Sequence, residues 1–375
     1  MKLKPFKLER FFAKYEFTTP YLLCTSDCES FTTTELFDLD QNAEKEFRNL
    51  WLGYTESAGH PQLRSEIAKL YTHAHPDDII VLAGAEEGIF IFMNVLLETG
   101  DQIIVQTPCY QSLTEVAASV GCTVRQWEMD PANNWELDFH WLKENITAKT
   151  KAIVVNFPNN PTGYTVTREQ FNQLTAIARE HDLYLFCDEV YRFLEYRPGD
   201  RLPAGCDTYD KAVSLGVMSK SFGLPGLRIG WLCTRDKELL EKIASFKDFT
   251  TICNSAPSEF LAALALKQKE FILNRNLEIV KTNLRHLESF FQKHAHLFQW
   301  VKPKAGPLVF PRLTFTPDAE DFCLDLIQKE GVLLAPGSRF NFRGDHVRIG
   351  FGRKNLPEAL AKLDQFLSSG AGKRT

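Results

Sequence analysis

The sequence predicts an α/β fold: a large domain on a mostly parallel, mixed sheet covered by helices on both faces, plus a small α+β domain. Three observations point there. Short apolar runs alternate with helical patterns from Asp78 to Cys233, the rhythm of parallel strands joined by crossover helices. After about Cys253 the rhythm breaks, and Pro257–His294 reads as one long helix leading into short, mixed elements. A chain of 375 residues with ordinary apolar and charged fractions is globular, with more than one core.

In chain order, the first forty residues are mixed, with an amphipathic opening around Phe6–Phe17 and a polar loop at Thr25–Thr34. Trp51–Arg64 is a glycine-punctuated loop that runs into a helix from Pro61, a residue suited to a first helical position, through Tyr71. Strands are predicted at Asp78–Leu82, Gln102–Val105, Thr123–Trp127, Lys151–Phe157, Leu183–Cys187, Ala212–Val217 and Arg228–Cys233. Helices open at Gly84 and reach about Glu98, and cover Gln111–Val120 and Arg168–Glu180. Beyond the long helix, Pro307–Leu313 reads as a strand and Asp318–Glu330 as a helix stopped by Gly331. Short strands near Val332–Leu334 and Val347–Phe351 precede a last helix, Asn355–Leu367, and Ser368–Thr375 reads as a frayed end.

Composition excludes several classes. A formal charge of -5 leaves no basic footprint for nucleic acid and no steering toward anionic membrane. Nine dispersed cysteines with no Cys-x-x-Cys pair give no zinc set, and read as reduced thiols of a cytosolic protein. The opening Met-Lys-Leu-Lys-Pro-Phe lacks the apolar stretch of a signal peptide, and no apolar run is long enough to span a bilayer. The expectation is a soluble, cytoplasmic protein without a metal.

The chemistry centres on Ser214–Trp231, where an apolar run stops at Lys220 and a Gly- and Pro-rich turn leads to Arg228. Burial pushes a lysine toward its neutral, nucleophilic form, which Schiff-base chemistry with an aldehyde cofactor requires. Ligands of open parallel sheets gather at the carboxyl ends of strands, and four further pieces stand at such ends or beside them. Gly84-Ala85-Glu86 opens a helix whose free amides suit a phosphate. Asn156-Phe157-Pro158-Asn159-Asn160-Pro161-Thr162-Gly163 is a rigid turn able to fix the Asn160 amide. In Cys187-Asp188-Glu189-Val190-Tyr191 a buried carboxylate wants a partner, and a protonated pyridine nitrogen would be one. In Val347-Arg348-Ile349-Gly350 an arginine sits on an otherwise apolar strand, suited to a bidentate grip on a carboxylate. Taken singly, each has a plainer reading: a snorkelling lysine, a strand-to-helix turn, a tight loop, a helix cap, a structural ion pair.

Together, Asn-Pro-Thr-Gly, Asp-x-x-Tyr, Ser-Lys-x-x-Gly-x-x-Gly-x-Arg and the late Arg-Ile-Gly-Phe resemble the class I/II aminotransferases, pyridoxal 5'-phosphate (PLP) enzymes of fold type I. The resemblance runs from Trp51 to the end. It implies a seven-stranded sheet in a large domain over residues 41–254. A small domain of residues 1–40 and 255–375 would cover the substrate site. By resemblance, Lys220 carries the cofactor as a Schiff base and moves the proton. Asp188 partners the pyridine nitrogen, while Tyr191 and Asn160 bond the ring hydroxyl oxygen. Arg228 clamps the phosphate with the amides of Ala85 and Glu86, and Tyr110 stacks on the ring. Tyr54 reaches the phosphate of a neighbouring subunit, implying a homodimer with shared sites. Arg348, with Asn160, binds the substrate α-carboxylate.

The resemblance implies transamination between an amino acid and a 2-keto acid. Carbon–sulfur lyases, decarboxylases and cyclising replacement enzymes of the capreomycidine synthase type share the same contacts. Two departures stand out. Val217 occupies the usual phosphate-binding serine position, leaving Ser219 or Ser221 to supply the hydroxyl, and Glu86-Glu87 brings acidic side chains to the phosphate-binding helix. In the loop Thr25–Ser30, Asp27 and Glu29 would favour a substrate with a cationic side chain if they face the pocket; otherwise they are solvated.

Overall fold

The computed structural model describes residues 2–369. Ser368 closes the last helix, and the rest of the predicted frayed end, residues 370–375, lies outside the described residues. The seven predicted strands form one sheet in the order Ile79–Leu82, Gly230–Cys233, Ala212–Val217, Tyr184–Asp188, Thr150–Asn156, Gln102–Thr107, Thr123–Glu128. All neighbours are parallel except Gly230–Cys233, which runs antiparallel to both its partners.

Successive side chains of a strand point to opposite faces, and here they feed two cores. Ala152 and Val154 pack with Ile89 and Phe92 of the helix Ala85–Leu96, while Ile153 and Val155 pack with Phe171 and Leu174 of the helix Arg168–Glu180. Helices therefore cover both faces, which is why the central strands read as unbroken apolar runs. The edge strand Thr123–Glu128 buries only Trp127.

Several elements differ from the sequence expectation. The long helix is two, Ala256–Lys267 and Lys269–Lys293, separated at Gln268, whose backbone leaves the helical region (φ -105, ψ 20). Ala256–Lys267 is apolar nearly all round and buried with Leu63 and Ile67, whereas Lys269–Lys293 is amphipathic and carries Leu287 and Phe291 toward Leu360 and Leu363. Helix-forming residues run straight through the junction, so the sequence pattern does not mark it. Pro307–Leu313 splits into Leu308–Val309 and Arg312–Leu313, which pair with different strands on either side of Pro311, a residue with no N–H for a ladder. The helix from Pro61 stops at Ala68 in turn-type bonds rather than at Tyr71. Helices Phe139–Asn145 and Lys237–Lys247 were not predicted, although Asp138 and Asp236 cap them through their side chains.

The N-terminal segment joins the C-terminal unit. Tyr21–Leu22 pairs in parallel with Val332–Leu333. The following loop lies directly on Val347–Gly352, where a Cβ at Gly350 would sit 1.7 Å from the Thr25 carbonyl oxygen and one at Gly352 would sit 2.2 Å from that of Asp27. These two glycines let the loop close over the crevice at the sheet's carboxyl edge.

Candidate active site

Asn156 stands in register with Asp188, and Asp188 with Leu215, so the loop after Asn156, Asp188 itself and the turn to Lys220 emerge together. Lys220 is half-buried by surface, with its amine enclosed in the crevice, where Nζ donates to Ser26 Oγ at 2.7 Å. That enclosure pushes the amine below the ordinary lysine range; Arg348 adds to the push, while Asp27, Glu9 and Asp188 oppose it.

Asp188 is 5% exposed, and burial raises its carboxyl to about 7 against the opposing pull of the Val190 N–H and Lys220. Oδ1 does accept from Val190 N, at 3.2 Å, the local cap that the plainer reading allowed. That single long bond leaves a buried acid short of partners. Tyr191 Oη is fully buried close to Ser26, yet has no well-formed hydrogen bond.

Arg348 is completely buried on Val347–Gly350, and its partners are neutral: Nη1 donates to Asn160 Oδ1 at 3.0 Å, and Nε and Nη2 to the Cys24 carbonyl at 3.2 and 2.6 Å. The rings of Phe340 and Phe12 flank the guanidinium at 5.1 and 5.7 Å. Asn160 is held in turn by Asn156, whose Oδ1 accepts from Asn160 N at 2.7 Å and whose Nδ2 donates to the Asp188 carbonyl at 3.0 Å. Asn156 thus ties the Asn160 loop to Asp188, a role the sequence reading missed although Asn156 opens the turn Asn156–Gly163.

Next to Ser219, which precedes Lys220 in the chain, lies a cradle. Gly84 has φ +97 and precedes Ala85–Leu96 with no side-chain cap, so the first amides, including those of Ala85 and Glu86, are free. A Cβ on Gly84 would lie 2.6 Å from Arg228 Nη2, and one on Gly230 would lie 2.6 Å from the Gly84 carbonyl carbon. Arg228 itself takes a left-handed backbone (φ 52), uncommon outside glycine, and its Nη1 donates to Ser219 Oγ at 3.3 Å. Ser221 turns away toward the carbonyls of Val190 and Arg192. Val217 is buried within its strand. Glu87 accepts from Ala83 N and the Thr251 hydroxyl and so points away from the cradle; Glu86 is exposed, near Arg228 and Ser112.

Tyr110 meets Phe6 at 4.8 Å between ring centroids, and its hydroxyl donates to Glu9 Oε1 at 2.7 Å. Tyr54 does not join this cluster; it is 86% exposed, near other exposed apolar side chains in sequence, Trp51 and Leu52. The loop expected to read substrate charge is otherwise engaged. Asp27 pairs with Arg353 through both carboxylate oxygens at 3.2 and 2.8 Å, and Glu29 accepts from Lys354 N at 2.8 Å. The residues that sequence reasoning missed are Ser26, Asn156 and Glu9 on the first helix, Lys7–Tyr15.

These residues fit pyridoxal phosphate on three counts: an orphaned buried phenol in Tyr191, a buried acid seeking a cation in Asp188, and an uncapped helix start with an arginine pressed on a glycine. No group of metal-ligating side chains occurs among the described residues, and none of their helices is long and apolar enough to cross a membrane.

The chain also has relatives among known proteins. The family described as aminotransferase class I and II matches residues 22–363. A PLP-dependent aminotransferase from Streptococcus suis superposes with a TM-score of 0.93 at 32% identity, covering 98% of this chain and 99% of that one. Capreomycidine synthase from Streptomyces vinaceus is 28% identical over 93% of this chain and 90% of its own length. Aspartate aminotransferase from Pyrococcus horikoshii is also 28% identical, over 88% of each. The fold is therefore fold type I, with pyridoxal 5'-phosphate the cofactor the family implies, and the chain belongs to the class I and II aminotransferases.

Proposed function

We propose that this protein is a PLP-dependent aminotransferase that moves an amino group between an amino acid and a 2-keto acid. The observation that carries the reading is the enclosed Lys220 amine with Asp188, Arg348 and, through Ser26, Tyr191 around it, and with Arg228 bonded to the adjacent Ser219. When bound, the cofactor supplies an aldehyde to join the amine and a ring that takes up negative charge from Cα.

In this reading Arg348 receives the substrate α-carboxylate, and Asn160 keeps its guanidinium oriented. Lys220, its amine pushed below the ordinary lysine range by enclosure, would carry the cofactor and move the proton from Cα. Asp188 holds a proton on the pyridine nitrogen, and Tyr191 Oη bonds the ring oxygen. Arg228, Ser219 and the amides of Ala85 and Glu86 bind the phosphate. Tyr110 stacks on the ring. The small domain, residues 1–40 with 255–375, excludes water above the large domain, 41–254, a division supported by the pairing of Tyr21–Leu22 with Val332–Leu333. A homodimer that lends Tyr54 across its interface completes the site, as the exposure of Trp51, Leu52 and Tyr54 supports. The cytoplasm suits nine free thiols.

The similarity to capreomycidine synthase, equal in identity to that of the aspartate aminotransferase, favours a second reading in which the same contacts serve a cyclising replacement or lyase reaction. The test is a single-turnover assay of the holoprotein with a panel of amino acids and no acceptor. Transamination releases one keto acid per site and no ammonia, and a second keto acid restores the starting spectrum. Ammonia or a rearranged amino acid as the product would replace it with the second reading.

A further inference from the structure

Glu9 on the first helix and Glu16, the residue that caps its C-terminal end, are two carboxylates that no role above uses. Glu9 and Glu16 are seven residues apart, two turns, and so share one helix face. Glu9 is anchored by the Tyr110 hydroxyl at 2.7 Å, beside the ring expected to stack on the cofactor. Each carboxylate lies close enough for its charge to act on Lys220 and on the other. Among the described residues neither forms a salt bridge, while the nearby cations are committed: Arg353 to Asp27, Arg348 to Asn160 and the Cys24 carbonyl. Phe12, on the same helix, holds its ring 5.7 Å from the Arg348 guanidinium, so this helix lies against the residue that takes the α-carboxylate.

Resting on the PLP reading of this site, we propose that Glu9 and Glu16 select an amino acid whose side chain is cationic, a guanidinium or an ammonium. Arg348 takes the α-carboxylate at the floor of the crevice, and the helix above takes the far end of the side chain. Burial raises the Glu16 carboxyl, with Asp27 and Glu9 adding to the rise and Arg353 and Lys220 opposing it, and a docked cation would oppose it further. A donor with a side-chain carboxylate would instead bring a third negative charge to this helix. The discrimination sits on Glu9 and Glu16, not on Asp27 and Glu29, which are occupied by Arg353 and Lys354.

The test compares near-isosteric donors on the holoprotein: L-arginine against L-citrulline and L-lysine against L-norleucine, with L-glutamate as the acidic donor. Both kcat/KM and, by calorimetry on the Lys220→Ala variant, Kd are read. The expected result is a preference of about tenfold or more for each basic donor, since charge-assisted hydrogen bonds in a closed site carry such a factor. Glu9→Gln, which keeps an acceptor for Tyr110, and Glu16→Gln should each reduce the basic-to-neutral ratio severalfold. The double variant should bring it near one, while Glu358→Gln on the exposed side of the last helix leaves it unmoved. A preference for norleucine, citrulline or glutamate in the parent protein, or a ratio unmoved in the double variant, overturns the proposal and leaves the PLP reading standing. A parent protein that takes up no pyridoxal phosphate overturns both.

Discussion

At the residue scale the site depends on two groups displaced from their usual ionisation in opposite senses. Asp188 starts from 3.8 and is raised to about 7 by burial. Between those values the folded, cofactor-free chain holds a proton that the unfolded chain has released. The stability contributed by protonated Asp188 is therefore full below pH 4 and is lost as pH rises toward 7, by at most roughly 4 kcal/mol. The expected outcome is that Asp188→Asn removes much of the downward slope of Tm between pH 4 and 7 in cofactor-free protein. Bound cofactor should flatten the same slope in the parent, because a pyridinium offsets the buried charge. In the assay, Asp188→Asn should lower kcat by at least about a hundredfold, since an amide cannot keep the ring nitrogen protonated. Near-normal turnover would reduce Asp188 to a cap on Val190. Lys220, Asp188 and Arg348 were singled out in the sequence because a charge within or at the end of an apolar run stands out, and Arg228 because it follows a Gly- and Pro-rich turn. Ser26 and Glu9 were not, since a serine in a polar loop and a glutamate on an amphipathic helix look like surface until the chain folds back on itself.

At the scale of elements, the cradle depends on the close approach of a strand and a helix start. Gly84→Ala should place a methyl against Arg228 and strain a left-handed backbone, at a cost of about 1–2 kcal/mol in stability. We expect the Kd for pyridoxal phosphate to rise at least tenfold while kcat at saturating cofactor falls less, a split that cofactor titration resolves. Gly230→Ala, which meets backbone rather than a movable side chain, should be the more damaging of the two. The strands of the main sheet were readable because burial on both faces leaves continuous apolar runs. The break at Gln268 was not, because it is set by which core each half packs against, and the split around Pro311 was not, because it depends on which distant strand each half pairs with.

For the whole molecule, two cores on either face of one sheet and a third under the Pro61–Ala68 helix leave a few large apolar side chains outside all of them. Trp51, Leu52, Tyr54 and Phe249 are 79%, 76%, 86% and 89% exposed, and single-chain packing gives no use for them. The proposed dimer covers them. Phe249→Glu should shift the protein toward monomer in sedimentation, and Tyr54→Phe should weaken cofactor binding without altering the oligomer. An active monomer at assay concentration would contradict the shared site. Sequence pattern alone marks the glycine-flanked loop around Tyr54 but gives no sign of its exposure; the folded chain holds the end of that loop through Lys247 Nζ, which donates to the Ser57 carbonyl at 2.6 Å.

The most direct measurement is covalent trapping. Holoprotein prepared with pyridoxal 5'-phosphate is reduced with borohydride, digested and mapped by mass spectrometry. The site described here predicts one pyridoxyl adduct per chain, on Lys220, and none in the Lys220→Ala variant; an adduct on another lysine, or none at all, would contradict it.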